Sequence, residues 1–177
     1  MSLLSFEAFK GAAKKVCPYS PWVKQAQQVA CGAMPSPFRE LLSHKGILTP
    51  SLEAFHRDKI TIETIQSKFE GRTFERHVIL RCTSNRKIVE LGAIQIVWEL
   101  IPLSLQKKVL EGKLAFGTLL EEAKIPYQTG PRISFSVASS DLPDFLVPPA
   151  NRIFYGRTHQ ILNTDGELMA QSSEILW

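Results

Sequence analysis

The sequence predicts an α+β fold, with helical segments segregated from an antiparallel sheet of about six strands. Helix-like and strand-like patterns follow one another in blocks: helices, three strands, two helices, three strands. The 177 residues are 44% hydrophobic and 21% charged, a balance typical of a globular chain with a sizeable core. No long low-complexity stretch divides the chain, so a single domain over residues 1–177 is expected.

The first 46 residues are predicted to be a helical segment. Residues 4–15 place apolar side chains beside lysines in a short amphipathic pattern. Four prolines then divide the chain into short pieces: Pro18, Pro21, Pro35 and Pro37. Ser36 resembles an N-cap followed by Pro37 at the first helical position, which predicts a helix that ends near Gly46.

Residues 47–177 are predicted to hold the sheet. Residues 49–50 repeat the helix start signal, and a short helix with Leu52 and Phe55 follows. The apolar period then changes to two, which predicts strands over residues 60–65 and about 73–82.

The same sequence patterns predict the elements of the second half of the chain. Residues 83–86 are a plausible hairpin loop into a β-rich run over 88–100, where Gly92 suggests a bend or a bulge. Helices are predicted from 103 to 110 and from 117 to 124. Three further strands are predicted, the last two joined by an Asn-Thr-Asp-Gly turn: 133–138, 152–162 and 167–176.

Two predicted strands each carry one charged residue on an otherwise apolar face. Successive strand residues point to opposite faces, so Arg76 shares its face with Phe74, Val78, Leu80 and Cys82. Glu174 shares its face with small and apolar residues. A lone buried charge is costly unless it is paired. Arg76 and Glu174 therefore either pair with each other across the sheet or line an enclosed polar cavity.

Composition excludes several classes of protein. The net charge of +4 is small, and the basic residues are scattered along the sequence. This argues against nucleic-acid binding and suits a small anionic ligand. The three cysteines lack metal-ligand spacing and favour a reducing compartment. No apolar run is long enough to span a membrane and no secretory signal is visible, so we expect a cytoplasmic protein without membrane insertion. No nucleophilic triad and no phosphate-binding loop can be read.

Five segments resemble the chorismate lyase (chorismate pyruvate-lyase) family: residues 47–53, 75–80, 114–120, 155–158 and 168–174. Their order and spacing carry more weight than any single motif. Ala93 stands near the position where the better-known bacterial members carry an arginine after a glycine, and the link between Glu53 and Arg76 is shorter. The chain is more similar to the divergent branch of cyanobacteria, plastids, archaea and mycobacteria.

The resemblance implies a six-stranded antiparallel sheet with helical flaps over an internal ligand site. It also implies a reaction, the elimination of pyruvate from chorismate to give 4-hydroxybenzoate, with no metal or redox cofactor and with product inhibition. Arg76 and Glu174 would be catalytic. The substrate-binding residues would be Leu48, Thr49, Arg76, Phe116, Gly117 and Glu174.

Each of these assignments has a simpler alternative. Arg76 and Glu174 could be a structural ion pair, and Thr49 could be only a helix cap. Arg157 is expected to be a solvated sheet residue more often than a ligand, and Arg132 is a weaker candidate for a second anion contact. His77 and His159 are expected to face outward, with no obvious acidic partner.

Three functions remain open. The first is chorismate lyase, acting on chorismate as a monomer or a dimer. The second is a non-catalytic, effector-sensing module that binds small aromatic carboxylates, because the same fold serves as the sensing domain of some transcription regulators. Such sensors normally carry a DNA-binding module in front, for which the first 46 residues leave little room. The third is a structural protein, for which no positive feature speaks.

Overall fold

The computed structural model describes residue 23 and residues 25–177. The helix predicted over residues 4–15 lies outside this part of the chain. The described residues form four α-helices: α1 Phe38–Ser43, α2 Leu48–His56, α3 Leu103–Glu111 and α4 Phe116–Glu122. None of the helices in the described part is long and apolar enough to cross a membrane.

The strands of the described chain form one sheet in the order β1-β5-β6-β7-β4-β3-β2. Their bounds are β1 Gln27–Gln28, β2 Ile60–Glu70, β3 Thr73–Cys82, β4 Ile88–Val97, β5 Gln128–Ala138, β6 Ile153–Leu162 and β7 Leu168–Leu176. Every neighbouring pair is antiparallel. The predicted α+β class and antiparallel sheet are confirmed, with six long strands and the two-residue β1 at one edge.

Two three-stranded units, β2–β3–β4 and β5–β6–β7, join through the pairing of β4 with β7. At this seam Gly92 of β4 lies opposite Glu174 of β7. In the same row across the sheet, Val78 of β3 lies opposite Gly92, and Arg157 of β6 lies opposite Glu174. The seam therefore places residues from four strands on one face of the sheet, near the middle.

The four helices pack on this face as two separate groups. Helices α3 and α4 bury Leu105, Val109 and Leu120 against one end of the sheet. Helices α1 and α2 bury Leu42 and Leu52 against the other end. The opposite face has its own core around Phe135 and Phe154, which includes Leu142 and Leu146 of the β5–β6 connection. The space between the two helical groups contains the candidate site.

Several local predictions differ from the structure. No bulge occurs at Gly92, which stays in register; the register shift on that side of the sheet lies between Leu80 and Arg81. The glycine instead permits close packing, since a Cβ atom there would lie 2.8 Å from Val78 Cγ2. Ser36 does not cap α1, whose N-cap residue is Pro37, and neither α1 nor α2 has a side-chain cap hydrogen bond.

Candidate functional site

A cavity lies between the two helical groups and the sheet. It contains about 740 Å³ of space free of protein atoms, a volume that includes the solvent at its open mouth. The structure brings all six residues of the expected substrate site to its wall: Leu48, Thr49, Arg76, Phe116, Gly117 and Glu174. Thr49 lies inside the first turn of α2 rather than at its cap, because the helix begins at Leu48.

Arg76 supplies an isolated positive charge to this wall. The residue is 3% exposed and donates hydrogen bonds to the carbonyl oxygens of Val109 at 3.4 Å and Leu114 at 3.0 Å. Its Nε is buried without a hydrogen-bond partner, and no acidic side chain of the described residues forms an ion pair with Arg76. Burial lowers the pKa of Arg76, yet a guanidinium stays protonated in proteins.

Glu174 pairs with Arg157 and not with Arg76. Arg157 Nε donates to Glu174 Oε2 at 2.6 Å, and both side chains are largely buried. The sequence left two arrangements open for Arg76 and Glu174, a direct ion pair or a shared cavity. The ion pair is wrong, and both side chains line the same cavity. Burial acts to raise the pKa of Glu174, but His159 and Arg157 outweigh it and the pKa lies below its usual value. Glu174 is therefore an ionised carboxylate.

The expectations for Arg157 and the two histidines were wrong. Arg157 is 2% exposed, and His159 Nδ1 lies 3.9 Å from Glu174 Oε2 and 3.0 Å from Ser172 Oγ. His77 is also buried, at 5% exposure. Alternation in the sequence indicates the face on which a residue lies, but it does not show that the segment before α2 covers Arg157. His77 lies on the opposite face of the sheet, where its register partner Ala93 belongs to a second core.

That covering segment is held by two arginines. Arg157 donates to the carbonyl oxygens of Leu42, His44 and Gly46 at 3.3, 2.8 and 3.2 Å. Arg132 also donates to the His44 carbonyl oxygen. Arg132 and Arg157 line an adjoining cavity and not the main one. Both arginines contact the backbone that leads into α2, and Arg157 also pairs with Glu174.

Glu90 is a cavity residue that the sequence reasoning missed. It is 5% exposed, and its Oε2 is buried without a hydrogen-bond partner. Burial, and then repulsion from Glu174, raises the pKa of Glu90 well above its usual value, with Arg157 acting in the opposite direction. The signal was available: Glu90 shares its strand face with Gly92, Ile94 and Ile96, the same lone charge among apolar residues that marked Arg76.

The cavity therefore has two chemically different sides. Arg76 lies on β3, while Glu174 lies on β7, two strands away and two residues further along, about 12 Å distant in backbone position. A six-membered ring with polar groups at opposite ends can bridge such a separation. Within the described residues no group of three or more His, Cys, Asp and Glu side chains is arranged to hold a metal ion.

Comparisons with known proteins support the fold. No protein-family model and no curated protein matches the sequence. The effector domain of PhnF from Mycobacterium smegmatis is similar in structure, with a TM-score of 0.59 and 9% identity over 74% of this chain and 88% of that domain. The structure of PhnF from Mycobacterium smegmatis has a TM-score of 0.58 and 8% sequence identity, over 75% of this chain and 64% of the PhnF chain. This chain therefore spans about two thirds of the length of PhnF.

The possible transcriptional regulator YydK from Bacillus subtilis gives a TM-score of 0.50 and 9% identity, over 67% of this chain and 58% of its own. At such identity the likeness concerns the fold alone. It agrees with the fold that the resemblance to chorismate lyase implies.

Proposed function

We propose that this chain binds a small cyclic carboxylate of the chorismate and 4-hydroxybenzoate type, with the carboxylate on Arg76. One observation carries the proposal: the Arg76 guanidinium faces the cavity while buried and without an acidic partner among the described residues. A planar guanidinium grips a carboxylate through two parallel hydrogen bonds. A bound carboxylate would therefore neutralise a buried cavity charge that the described residues leave without an ion pair.

The remaining wall suits a ring. Leu48 and Phe116 are both 2% exposed and line the cavity, so they offer apolar surface to the ring faces. Leu48 and Phe116 are also the first residues of α2 and α4, whose opening N–H groups have no partner within the helix. The resemblance implies that backbone N–H groups at these two places complete the carboxylate site.

The likeness to a domain described as an effector domain supports a binding module. In that function the protein recognises the ligand without converting it. Closure of the helical segments over the cavity would then be the signal that binding produces.

The contrast between Glu90 and Glu174 supports a second candidate, chorismate lyase. Two carboxyl groups whose surroundings move their pKa values apart are typical of acid–base pairs in active sites. In the reaction that the resemblance implies, Glu174 would help to remove the proton from the ring carbon that bears the hydroxyl. The released electron pair would complete the aromatic ring as the ether C–O bond breaks, and the departing enolpyruvate would take up a proton to become pyruvate.

One experiment separates these functions. The full chain is incubated with chorismate and assayed for pyruvate and for 4-hydroxybenzoate, while calorimetry measures 4-hydroxybenzoate binding. Turnover would establish the lyase. Binding without turnover would establish the module. The absence of both would contradict the proposal.

If the chain is a lyase, Glu174→Gln should retain most of its affinity for 4-hydroxybenzoate and lose turnover, because an amide cannot accept the proton. Parallel measurements of turnover and of the melting temperature check this. Glu122→Gln, which makes the same change at an exposed position of α4, is the matched control. Turnover at the parental rate in Glu174→Gln would reduce Glu174 to a structural partner of Arg157.

A further inference from the structure

No contact between Glu90 and the ligand has been assigned, yet its carboxyl group is buried in the cavity wall. We infer that Glu90 determines specificity for the ligand: it carries a proton and donates a hydrogen bond to a neutral hydroxyl of the ligand, while Glu174 accepts the hydrogen of the same hydroxyl. The inference rests on the proposed carboxylate binding by Arg76. It adds the residue that selects the far end of such a ligand, an uncharged hydroxyl.

The strand neighbours of Glu90 offer its carboxyl group no hydrogen bond. Its register partners across the sheet are Leu80 on β3 and Leu176 on β7, both 3% exposed. An ionised carboxylate without donors is far more costly to bury than a neutral carboxylic acid. The protonated form is therefore the stable one, and its O–H group has no acceptor until a ligand supplies one.

Glu90 and Glu174 can reach the same ligand group. Glu174 lies opposite Gly92, two residues along β4 from Glu90, so the two glutamates are diagonal neighbours on one face. Glu90 Oε1 would lie only 3.3 Å from a Cβ atom at Gly92, which shows that its carboxyl group leans toward this row. Because residue 92 has no side chain, nothing from β4 separates the two carboxyl groups.

The surrounding charges keep the two carboxyl groups in different protonation states. Glu174 is ionised by its contact with Arg157, and an ionised Glu174 disfavours a second negative charge at Glu90. His159, on β6 with Arg157, and His44 also act on Glu174, and burial lowers the pKa of both histidines. The cavity thus offers one donor and one acceptor side by side.

A hydroxyl is the ligand group that satisfies both carboxyl groups. It donates to Glu174 and accepts from Glu90. A methoxy group can only accept, so it offers Glu174 no hydrogen bond beyond the one from Arg157. A second carboxylate is repelled by Glu174, and a hydrogen atom at this place gives neither glutamate a hydrogen bond.

The test uses calorimetry of the full chain with benzoate, 4-hydroxybenzoate, 4-methoxybenzoate and terephthalate. The parent should bind 4-hydroxybenzoate about tenfold or more tightly than the other three, the effect of one or two added hydrogen bonds. Glu90→Gln, whose amide N–H still donates, should keep this preference. Glu90→Leu should reduce it about tenfold while benzoate affinity stays near that of the parent.

The pH dependence gives a second readout. The preference for 4-hydroxybenzoate over benzoate should weaken in the parent as the pH rises through the raised pKa of Glu90, because the ionised form cannot donate. Glu90→Gln should show no such decline. Glu122→Gln should follow the parent.

The outcomes separate this inference from the proposed function. If Glu90→Leu keeps the parental ratio of affinities for 4-hydroxybenzoate and benzoate, Glu90 has no role in specificity. If Glu90→Gln loses that preference for 4-hydroxybenzoate while its melting temperature equals that of the parent, the proton of Glu90 does not have the role inferred for it. Failure of the parent to bind benzoate, or benzoate binding that survives Arg76→Ala, would instead overturn the carboxylate site on which the inference rests.

Discussion

Arg76 keeps a full positive charge in the protein interior although no acidic side chain of the described residues neutralises it. Two backbone carbonyl groups, of Val109 and Leu114, hold the guanidinium in place. These neutral dipoles orient the charge and compensate it only in part. The side chain is therefore fixed for a partner before that partner arrives, at a cost to the free energy of folding.

Replacing Arg76 should separate binding from stability. In Arg76→Ala, binding of 4-hydroxybenzoate should weaken by about 2–5 kcal/mol, since a buried charge pair loses one partner. In Arg76→Met, binding should be lost equally, while the melting temperature stays equal to that of the parent or rises, because an apolar side chain replaces an uncompensated charge. Arg72→Ala, at an exposed arginine paired with Glu99, is the control for loss of a positive charge. Near-parental affinity in Arg76→Ala would remove this residue from the site.

The sequence was informative about residues wherever a lone charge interrupts an apolar strand face. Arg76 and Glu174 were identified in this way, and both line the cavity. Arg157 was not, because its face neighbours Tyr155 and His159 are polar enough to suggest solvent. Its burial depends on the segment before α2, more than 100 residues away in the chain, as the hydrogen bond to the His44 carbonyl oxygen shows. Strand alternation contains no information about such a contact.

At the scale of elements, the two helical segments that cover the cavity contact each other. A Cβ atom at Gly117, in the first turn of α4, would lie 3.0 Å from Ile47 Cγ1, just before α2. The glycine therefore permits the two segments to meet over the ligand space. Since both segments line the cavity, parting them would widen the path by which a ligand enters or leaves.

Hydrogen exchange should reveal this gating. When 4-hydroxybenzoate is added, exchange should slow in Leu48–His56 and Phe116–Glu122, because bound ligand adds contacts beneath both helices. The strands β3, β4 and β7, already buried at the centre of the sheet, should change little. Mass spectrometry of the exchanged peptides measures this. Uniform protection of all segments, or none, would contradict a gating role for the two helices.

The contact at Gly117 can be tested directly. Gly117→Ala favours the helix by about 1 kcal/mol, yet its Cβ atom would press on Ile47 and hold the two segments apart. We expect faster dissociation of 4-hydroxybenzoate in stopped-flow measurements, and a return toward the parental rate when Ile47→Ala is added. Gly32→Ala, where a Cβ atom would meet nothing within 4 Å, is the control. Parental dissociation in Gly117→Ala would mean that this contact does not limit release.

The order and type of the elements could be predicted because their apolar periods are strong, but several boundaries could not. Strand β2 continues to Glu70, past the predicted end at residue 65, because hydrogen bonds to β3 extend it along a largely exposed edge. Strand β5 begins at Gln128 rather than at residue 133, across Gly130 and Pro131 and a register shift that interrupt the sequence pattern. In both places pairing with a neighbouring strand decides the structure, where the local pattern is weak.

In the molecule as a whole, the seam between β4 and β7 concentrates buried titratable groups in one polar layer. Glu90, Glu174 and Arg157 lie within it, and His44 and His159 lie beside it. The pKa values of the two carboxyl groups and the two imidazoles depend on the charges around them. The stability of the whole fold is therefore linked to pH through a few residues at the centre of the sheet.

Glu90→Gln should be increasingly stabilising as the pH rises. Because the pKa of Glu90 is raised in the folded state, the folded protein binds more protons than the unfolded chain above pH 4.5, the ordinary value of the group. Its contribution to stability is thus complete below that pH and declines by about 1.4 kcal/mol per pH unit until the folded pKa is reached.

Glutamine does not titrate, so the difference in free energy of unfolding between Glu90→Gln and the parent should grow over this window. Urea unfolding at intervals between about pH 5 and pH 8 measures it. A constant difference across the window would mean that Glu90 is ionised in the folded protein, and would also remove the proton that the specificity inference requires.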